Sequence, residues 1–239
     1  MDLKNCVALV TGANRGLGKA LCEALADAGA RTVYAGTRDL TNIRDPRLVP
    51  TLIDVTDQRQ LTAARDACPD VNLVVNNAGI FGAGSLLEED AEESLRRQIE
   101  VNVFGSLRVA QTFAPVIERN GDGMIVNILS TVSWYTPPGS PAYAASKHAA
   151  LAVSDGLRSA LAPLGVRVMG VHAGLIDTEM VAAMDFPKVS ARSVADAVLR
   201  GIEAGQDLVL ADDKAREVWD AMRVDPEGFK AALVPTIPA

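Results

Sequence analysis

The stretch that most constrains this chain is its first turn. Val7–Val10 is a continuous apolar run, and Thr11-Gly12-Ala13-Asn14-Arg15-Gly16-Leu17-Gly18 breaks it. Leu17, Leu21, Ala24, Leu25 and Ala28 then recur at helical spacing, and Gly29 ends the helix. An unbroken apolar run belongs to a strand covered on both faces. The same alternation continues along the chain. Thr32–Tyr34, Thr51–Ile53, Leu73–Val75, Met124–Ile128, Val166–Val171 and Leu208–Leu210 read as strands, and Leu61–Ala67, Leu95–Phe113, Tyr143–Leu161 and Val194–Ile202 as helices. Strand–helix alternation of this kind builds a parallel sheet with right-handed crossovers. The expected fold is α/β, a doubly wound parallel sheet of about seven strands with helices on both faces.

Composition narrows the setting. The chain has 239 residues, 49% of them hydrophobic, enough for the core of one α/β domain spanning residues 1–239. The longest apolar stretches, such as Met124–Leu129, fall far short of the roughly 20 residues of a membrane span. The first residues lack the form of a signal peptide, so a cytoplasmic protein is expected. With 23 basic and 30 acidic residues the net charge is -7, which argues against nucleic acid as a partner. Cys6, Cys22 and Cys68 are odd in number, widely spaced and set in apolar or helical surroundings, as packing residues of a reduced compartment are. Two histidines, His148 and His172, offer few ligands for zinc. The acidic run Glu88–Glu93 suits the start of the helix that continues through Arg96 and Arg97.

Ligands of such sheets bind beyond the carboxyl ends of the strands, near the switch point of strand order. The glycines Gly12, Gly16 and Gly18 let the backbone turn tightly and approach a pyrophosphate, and the helix that follows offers free N–H groups. The spacing is G-x-x-x-G-x-G, and its place between a strand and a helix marks a Rossmann-type dinucleotide site, to which Asn14, Arg15 and Leu17 also contribute. Arg38 lies 20 residues beyond Gly18, where a basic residue takes the 2′-phosphate of NADP. Arg15 can add a second guanidinium to that phosphate. The cofactor expected is therefore NADP(H), the competing reading being surface arginines with Arg38 paired to Asp39.

Tyr143 and Lys147 stand four apart, on one face of a helix. A free phenol has a pKa near 10, so bringing it to about 7 takes roughly 4 kcal/mol of preference for phenolate. A nearby ammonium and a positive nicotinamide ring are the candidate sources. Ser130 ends the strand Ile125-Val126-Asn127-Ile128-Leu129, which places its hydroxyl where the ligand is expected. Asn102 interrupts an otherwise apolar helix, Asn76-Asn77-Ala78-Gly79 closes the fourth strand, and Asp54-Val55 closes the third. There the Asp54 carboxylate can accept from an adenine amino group.

Jointly these residues resemble the classical short-chain dehydrogenase/reductase family, over almost the whole chain, from the glycine turn through Asp54, Asn77, Ala78, Gly79, Asn102, Ser130, Tyr143 and Lys147 to Gly174–Thr178. The resemblance implies a tetrad. Tyr143 is then the acid in carbonyl reduction and the base in alcohol oxidation, and Lys147 holds the nicotinamide ribose and favours the phenolate. Ser130 bonds the substrate oxygen, and Asn102 anchors a water relaying protons to Lys147. Hydride passes directly from the nicotinamide ring, and no metal is implied. Where the family has Pro-Gly after the sixth strand, this chain has Ala173-Gly174, which is expected to loosen the loop that follows. Gly174, Ile176 and Thr178 remain to meet the cofactor, and His172 reads as a packed or backbone-bonded residue. Association into a homodimer or homotetramer through Leu95–Phe113 and Tyr143–Leu161 is a further implication.

The substrate walls are expected from Ile80, Phe81, Trp134, Tyr135, Thr136, Leu175 and a loop at about 175–192 that holds Met180, Met184 and Phe186. These apolar and aromatic groups fit a hydrophobic ketone, aldehyde or secondary alcohol. A reductase of carrier-bound 3-oxoacyl groups would want a basic docking surface, against the acidic balance. A non-catalytic NADP(H) sensor is opposed by the intact Ser130, Tyr143 and Lys147. A serine hydrolase would need a G-x-S-x-G elbow, which the sequence lacks.

Overall fold

The four side chains of the first strand, β1 (Val7–Val10), divide between two cores: Val7 and Leu9 enter one, Ala8 and Val10 the other. This two-sided burial is why the run carries no polar residue. The computed structural model describes residues 1–233; the last six positions of the expected domain lie outside the described residues. Around β1 the chain lays down α1 (Gly16–Asp27), β2 (Thr32–Thr37), β3 (Val49–Leu52), α2 (Gln58–Ala67) and β4 (Leu73–Asn76). It continues with α3 (Ala91–Ile99), α4 (Ser106–Asn120), β5 (Met124–Ile128), α5 (Pro141–Leu161) and β6 (Arg167–His172). The small strands β7 (Ile176–Asp177) and β8 (Val189–Ser190) pair with each other outside the main sheet. The last elements are α6 (Ala191–Ala204), β9 (Leu208–Leu210), α7 (Asp213–Val224) and α8 (Pro226–Ala231).

Seven strands form one parallel sheet in the order β3-β2-β1-β4-β5-β6-β9. The chain winds outward from β1 to β3, then returns to start the other half at β4. The switch point therefore lies between the carboxyl ends of β1 and β4, the place where sheets of this kind bind ligands. On one face α1 and α6 bury Leu21, Leu25, Val194, Val198 and Ile202, and on the other Leu61, Phe113 and Ile117 fill the core beneath α2 and α4. Cys6 and Cys22 belong to the first core and Cys68 to the second, all three as buried free thiols. Among the described residues no helix is long and apolar enough to cross a membrane.

The helix expected over Leu95–Phe113 is interrupted. Between α3 and α4 the residues Glu100–Gly105 form a π-helical turn. Gly105 lies so close to α2's approach segment that a Cβ there would come 2.6 Å from Val55 Cγ2. The glycine turn is tighter still: a Cβ on Gly18 would stand 2.1 Å from the Gly12 carbonyl oxygen and 2.5 Å from Asn77 Nδ2. Neither neighbour can retreat, because one is backbone and the other is bonded to it. Gly156, in α5, has open space where a Cβ would go. Gly18→Ala is therefore expected to lower unfolding free energy by about 2–4 kcal/mol in urea titrations, whereas Gly156→Ala raises it by about 0.5–1 kcal/mol.

Candidate active site

Thr11 follows β1 directly and is fully buried. Its hydroxyl donates to the Val75 carbonyl (3.3 Å) and accepts from the N–H groups of Asn77 and Ala78 (both 3.0 Å). The Asn77 amide returns to the carbonyls of Thr11 (2.9 Å) and Gly12 (3.2 Å). The glycine turn and the loop after β4 are thus stitched into one floor, with Gly12 and Gly16 at φ of +65° and +53°. Arg15 precedes α1 without a side-chain cap on the helix, so the N–H groups of Gly16, Leu17 and Gly18 keep no side-chain partner there. A side-chain-free backbone floor beside an uncapped helix start is the shape and charge that a dinucleotide pyrophosphate takes. The chain fits that group.

The two arginines lie at different places around this floor. Arg38 is exposed beyond β2; against the opposing effect of burial, the Asp54 carboxyl is held below the usual range by bonds from Thr56 and, to a lesser degree, by the charge of Arg38. Asp39 does not pair with Arg38; it accepts from Thr41 N–H (3.0 Å) and Oγ1 (2.7 Å). Arg15 is taken up elsewhere, in an ion pair with Glu179 of the loop between β7 and β8. The methyl of Thr178 reaches to 3.0 Å from where a Gly16 Cβ would stand, so this loop lies against the glycine turn. Asn14 is exposed, and Val55 is buried.

The Ala173-Gly174 departure is compensated. Gly174 N–H donates to the buried Asp212 (2.8 Å), whose other oxygen caps α7 through Ala215 N–H (2.7 Å). Val189 N–H donates to the Leu175 carbonyl (2.9 Å), and Ile176 pairs with Val189. The loop expected to be loosened is held at both ends.

Asn102 sits in the π turn. Its Oδ1 accepts from Ile80 N–H (2.8 Å), and its Nδ2 donates to the Ile80 carbonyl (3.0 Å) and to Ser146 Oγ (2.9 Å). Ser146 Oγ donates to the Tyr143 carbonyl (2.7 Å). Ser146 was not singled out by the sequence; it joins Asn102 to the helix that carries Tyr143 and Lys147. Gly79 lies under Asn102, where a Cβ would come 3.1 Å from Oδ1.

Tyr143, Lys147 and Ser130 converge at the carboxyl end of β5. Lys147 Nζ donates to the Ile128 carbonyl (2.9 Å) and lies 5.7 Å from the centre of the Tyr143 ring. The Phe81 ring meets Tyr143 edge-on at 5.1 Å. Burial pushes the Tyr143 phenol up to about 12, with the Ser130 hydroxyl pulling the other way. Burial pushes Lys147 down to about 8. In the protein alone, both groups are thus driven toward their neutral forms.

The aromatic residues expected to wall a pocket have partners. Trp134 stacks on His172 (3.9 Å, 15°) and meets Trp219 of α7 (4.9 Å). Tyr135 meets Phe229 of α8 edge-on at 5.2 Å. The two C-terminal helices therefore lie over the 134–135 turn of their own chain. Leu175 and Met184 are half-buried, and Met180 and Phe186 largely exposed.

Residues 6–187 match the model of the short chain dehydrogenase family. The chain belongs to that family, and is an oxidoreductase acting on CH-OH and C=O groups. It is 35% identical to the 1-deoxy-11-beta-hydroxypentalenate dehydrogenase of Streptomyces exfoliatus, over 94% of this chain and 82% of that one. A crystal structure of a short chain dehydrogenase from Burkholderia cenocepacia J2315 in complex with NADP superposes with a TM-score of 0.95, at 41% identity over 99% of this chain and 100% of that one. A second structure, from Burkholderia phymatum in complex with NAD, shares the fold at a TM-score of 0.84 and 23% identity, over 100% and 99% of the two chains.

The buried Lys147 has a measurable consequence in the protein without ligands. Its folded pKa lies below its unfolded value of 10.5, so protonation costs stability as pH falls from 10.5 through about 8. Lys147→Met should therefore stabilise the cofactor-free protein at pH 7 by an amount on the order of 1 kcal/mol or more, and the gain should shrink as pH rises toward 10. Thermal melts across this range check the sign.

Proposed function

We propose that the protein is an NADP(H)-dependent enzyme interconverting a hydrophobic ketone or aldehyde and its alcohol, with Tyr143 as the proton carrier. The observation that carries the reading is the convergence of Tyr143, Lys147 and Ser130 beside a glycine turn fit for a dinucleotide. When bound, the nicotinamide supplies or accepts the hydride. The protein's part is orientation and charge. Ser130 Oγ hydrogen-bonds the substrate oxygen, and Tyr143 gives its phenolic proton to that oxygen in reduction or takes it in oxidation. Lys147, already fixed on the Ile128 carbonyl, grips the nicotinamide ribose and favours the phenolate. A positive charge near the phenol is needed because burial alone drives Tyr143 the wrong way. Asn102 anchors the water that returns protons to Lys147.

Gly12, Asn14, Arg15, Gly16, Leu17 and Gly18 cradle the phosphates in this reading. Asp54 and Val55 meet the adenine, Asn77, Ala78 and Gly79 the ribose side, and Gly174, Ile176 and Thr178 the carboxamide. Preference for NADP(H) rests on Arg38, with Arg15 joining once it leaves Glu179. The NADP complex of the Burkholderia cenocepacia relative supports that choice. Phe81, Trp134, Tyr135, Leu175, Met180 and Met184 line the substrate side, and the relative named as a 1-deoxy-11-beta-hydroxypentalenate dehydrogenase supports an alcohol as the reduced partner. The exposed Phe104, with Arg108 5.8 Å over its ring, fits association through the helical faces into a homodimer or homotetramer.

The test is NADPH consumption at about 340 nm against a panel of ketones and aldehydes. Tyr143→Phe should keep NADPH affinity within about twofold while turnover falls by roughly 100-fold or more. Near-normal turnover of that variant would sink the mechanism. A higher kcat/KM with NADH than with NADPH would refute the cofactor choice, and Arg38→Ala should raise the KM for NADPH alone by about tenfold.

A further inference from the structure

Ser130 is held at each of its polar atoms. Its N–H donates to Ser133 Oγ (3.3 Å) and its Oγ accepts from Val132 N–H (3.3 Å). Its carbonyl accepts from Ser133 N–H (3.1 Å) and also from a side chain, Nδ1 of His172 (2.9 Å). The sheet secures the residues on either side: Leu129 N–H donates to the Val171 carbonyl (2.8 Å) and Thr131 N–H to the Ala173 carbonyl (3.0 Å). From the end of β6, the imidazole of His172 reaches the Ser130 carbonyl as a side-chain donor.

His172 ends β6 and is 1% exposed. A carbonyl oxygen only accepts, so Nδ1 bears the proton in this contact. Burial pushes the imidazole down to about 4, which keeps the ring neutral near pH 7. The Trp134 indole lies parallel to the ring at 3.9 Å, and Trp219 backs that indole at 4.9 Å. The stack fixes the plane of the imidazole and hence the line along which Nδ1–H points. A phenyl ring could fill the same space and stack, but it could not donate.

We propose that His172 is a positioning residue: through Nδ1–H it fixes the Ser130 carbonyl, and with it the direction in which Ser130 Oγ meets the substrate oxygen. The inference rests on the reading of Ser130 as the residue that receives that oxygen. His172 touches neither substrate nor cofactor in this role, so its effect falls on turnover and leaves cofactor binding alone.

The experiment compares His172→Phe, which keeps the ring and the stack, with His172→Asn, whose amide nitrogen stands near the place of Nδ1. Turnover is measured with NADPH and the best ketone of the panel, and NADPH affinity by fluorescence titration. His172→Phe should lose about tenfold in kcat, the worth of one buried hydrogen bond, with NADPH affinity within about twofold. His172→Asn should regain most of that loss despite a lower melting temperature. Nitrogen-15 spectra of the wild-type protein should show the His172 proton on Nδ1. Unchanged kcat in His172→Phe, equal losses in both variants, or a proton on Nε2 would each overturn the proposal. Ser130→Ala separates the two levels: full turnover there refutes the role of Ser130, while a large loss beside an unaffected His172→Phe refutes only the role of His172.

Discussion

The close approach of two backbones at the switch point governs the rest of this molecule. The turn after β1 and the loop after β4 lie in contact, with Gly18 against the Gly12 carbonyl and Asn77, and with the Thr11 hydroxyl shared between the two segments. No Cβ at Gly18 fits between them. This contact sets where α1 begins, and therefore where its free N–H groups point. It also fixes the Asn77–Gly79 loop, on which Asn102 rests through Gly79 and Ile80. From Asn102 the bonding continues through Ser146 to the helix that carries Tyr143 and Lys147. The floor for a dinucleotide and the reacting side chains are parts of one hydrogen-bonded frame.

That frame is polar in a place where burial disfavours polarity. Asn76, Asn127 and Ser154 form a second buried chain, Asn76 Nδ2 to Asn127 Oδ1 and Asn127 Nδ2 to Ser154 Oγ, both at 2.9 Å. It ties β4, β5 and α5 together one residue before the Ile128 carbonyl that holds Lys147. An ammonium buried with one backbone acceptor destabilises the fold. Such a residue persists where the chemistry requires it, and the stiffness of the surrounding network keeps it from turning out to water.

Much of the architecture was legible in the sequence, and for one physical reason. A strand buried on both faces must be apolar throughout, so Val7–Val10, Leu73–Val75 and Met124–Ile128 announced themselves, and the glycine turn stood out because only backbone fits there. The grouping of Asn102, Ser130, Tyr143 and Lys147 followed from resemblance to a family pattern. What the sequence withheld was pairing between distant side chains. Trp134 gave no sign that its ring would stack on His172 and meet Trp219, nor Arg15 that it would pair with Glu179. Asp212 gave no sign that it would hold Gly174. Each of these depends on the relative placement of segments far apart in the chain, which periodicity does not encode. The π turn at Glu100–Gly105 was invisible for a related reason: its apolar spacing is close to that of an ordinary helix.

That turn has a bearing on how the chain can vary. A π turn is an α-helix carrying one residue too many. Removing one residue between Glu100 and Gly105 would restore a regular helix and relieve the irregularity. The flanking helices would stay close to register, because the wider turn absorbs the surplus residue, but the residues within the turn would shift relative to their partners. Asn102 would then leave Ile80 and Ser146, and Gly105 would no longer face Val55. Length in this stretch is therefore as constrained as residue identity. A chain that keeps Asn102 on its partners must keep the surplus residue.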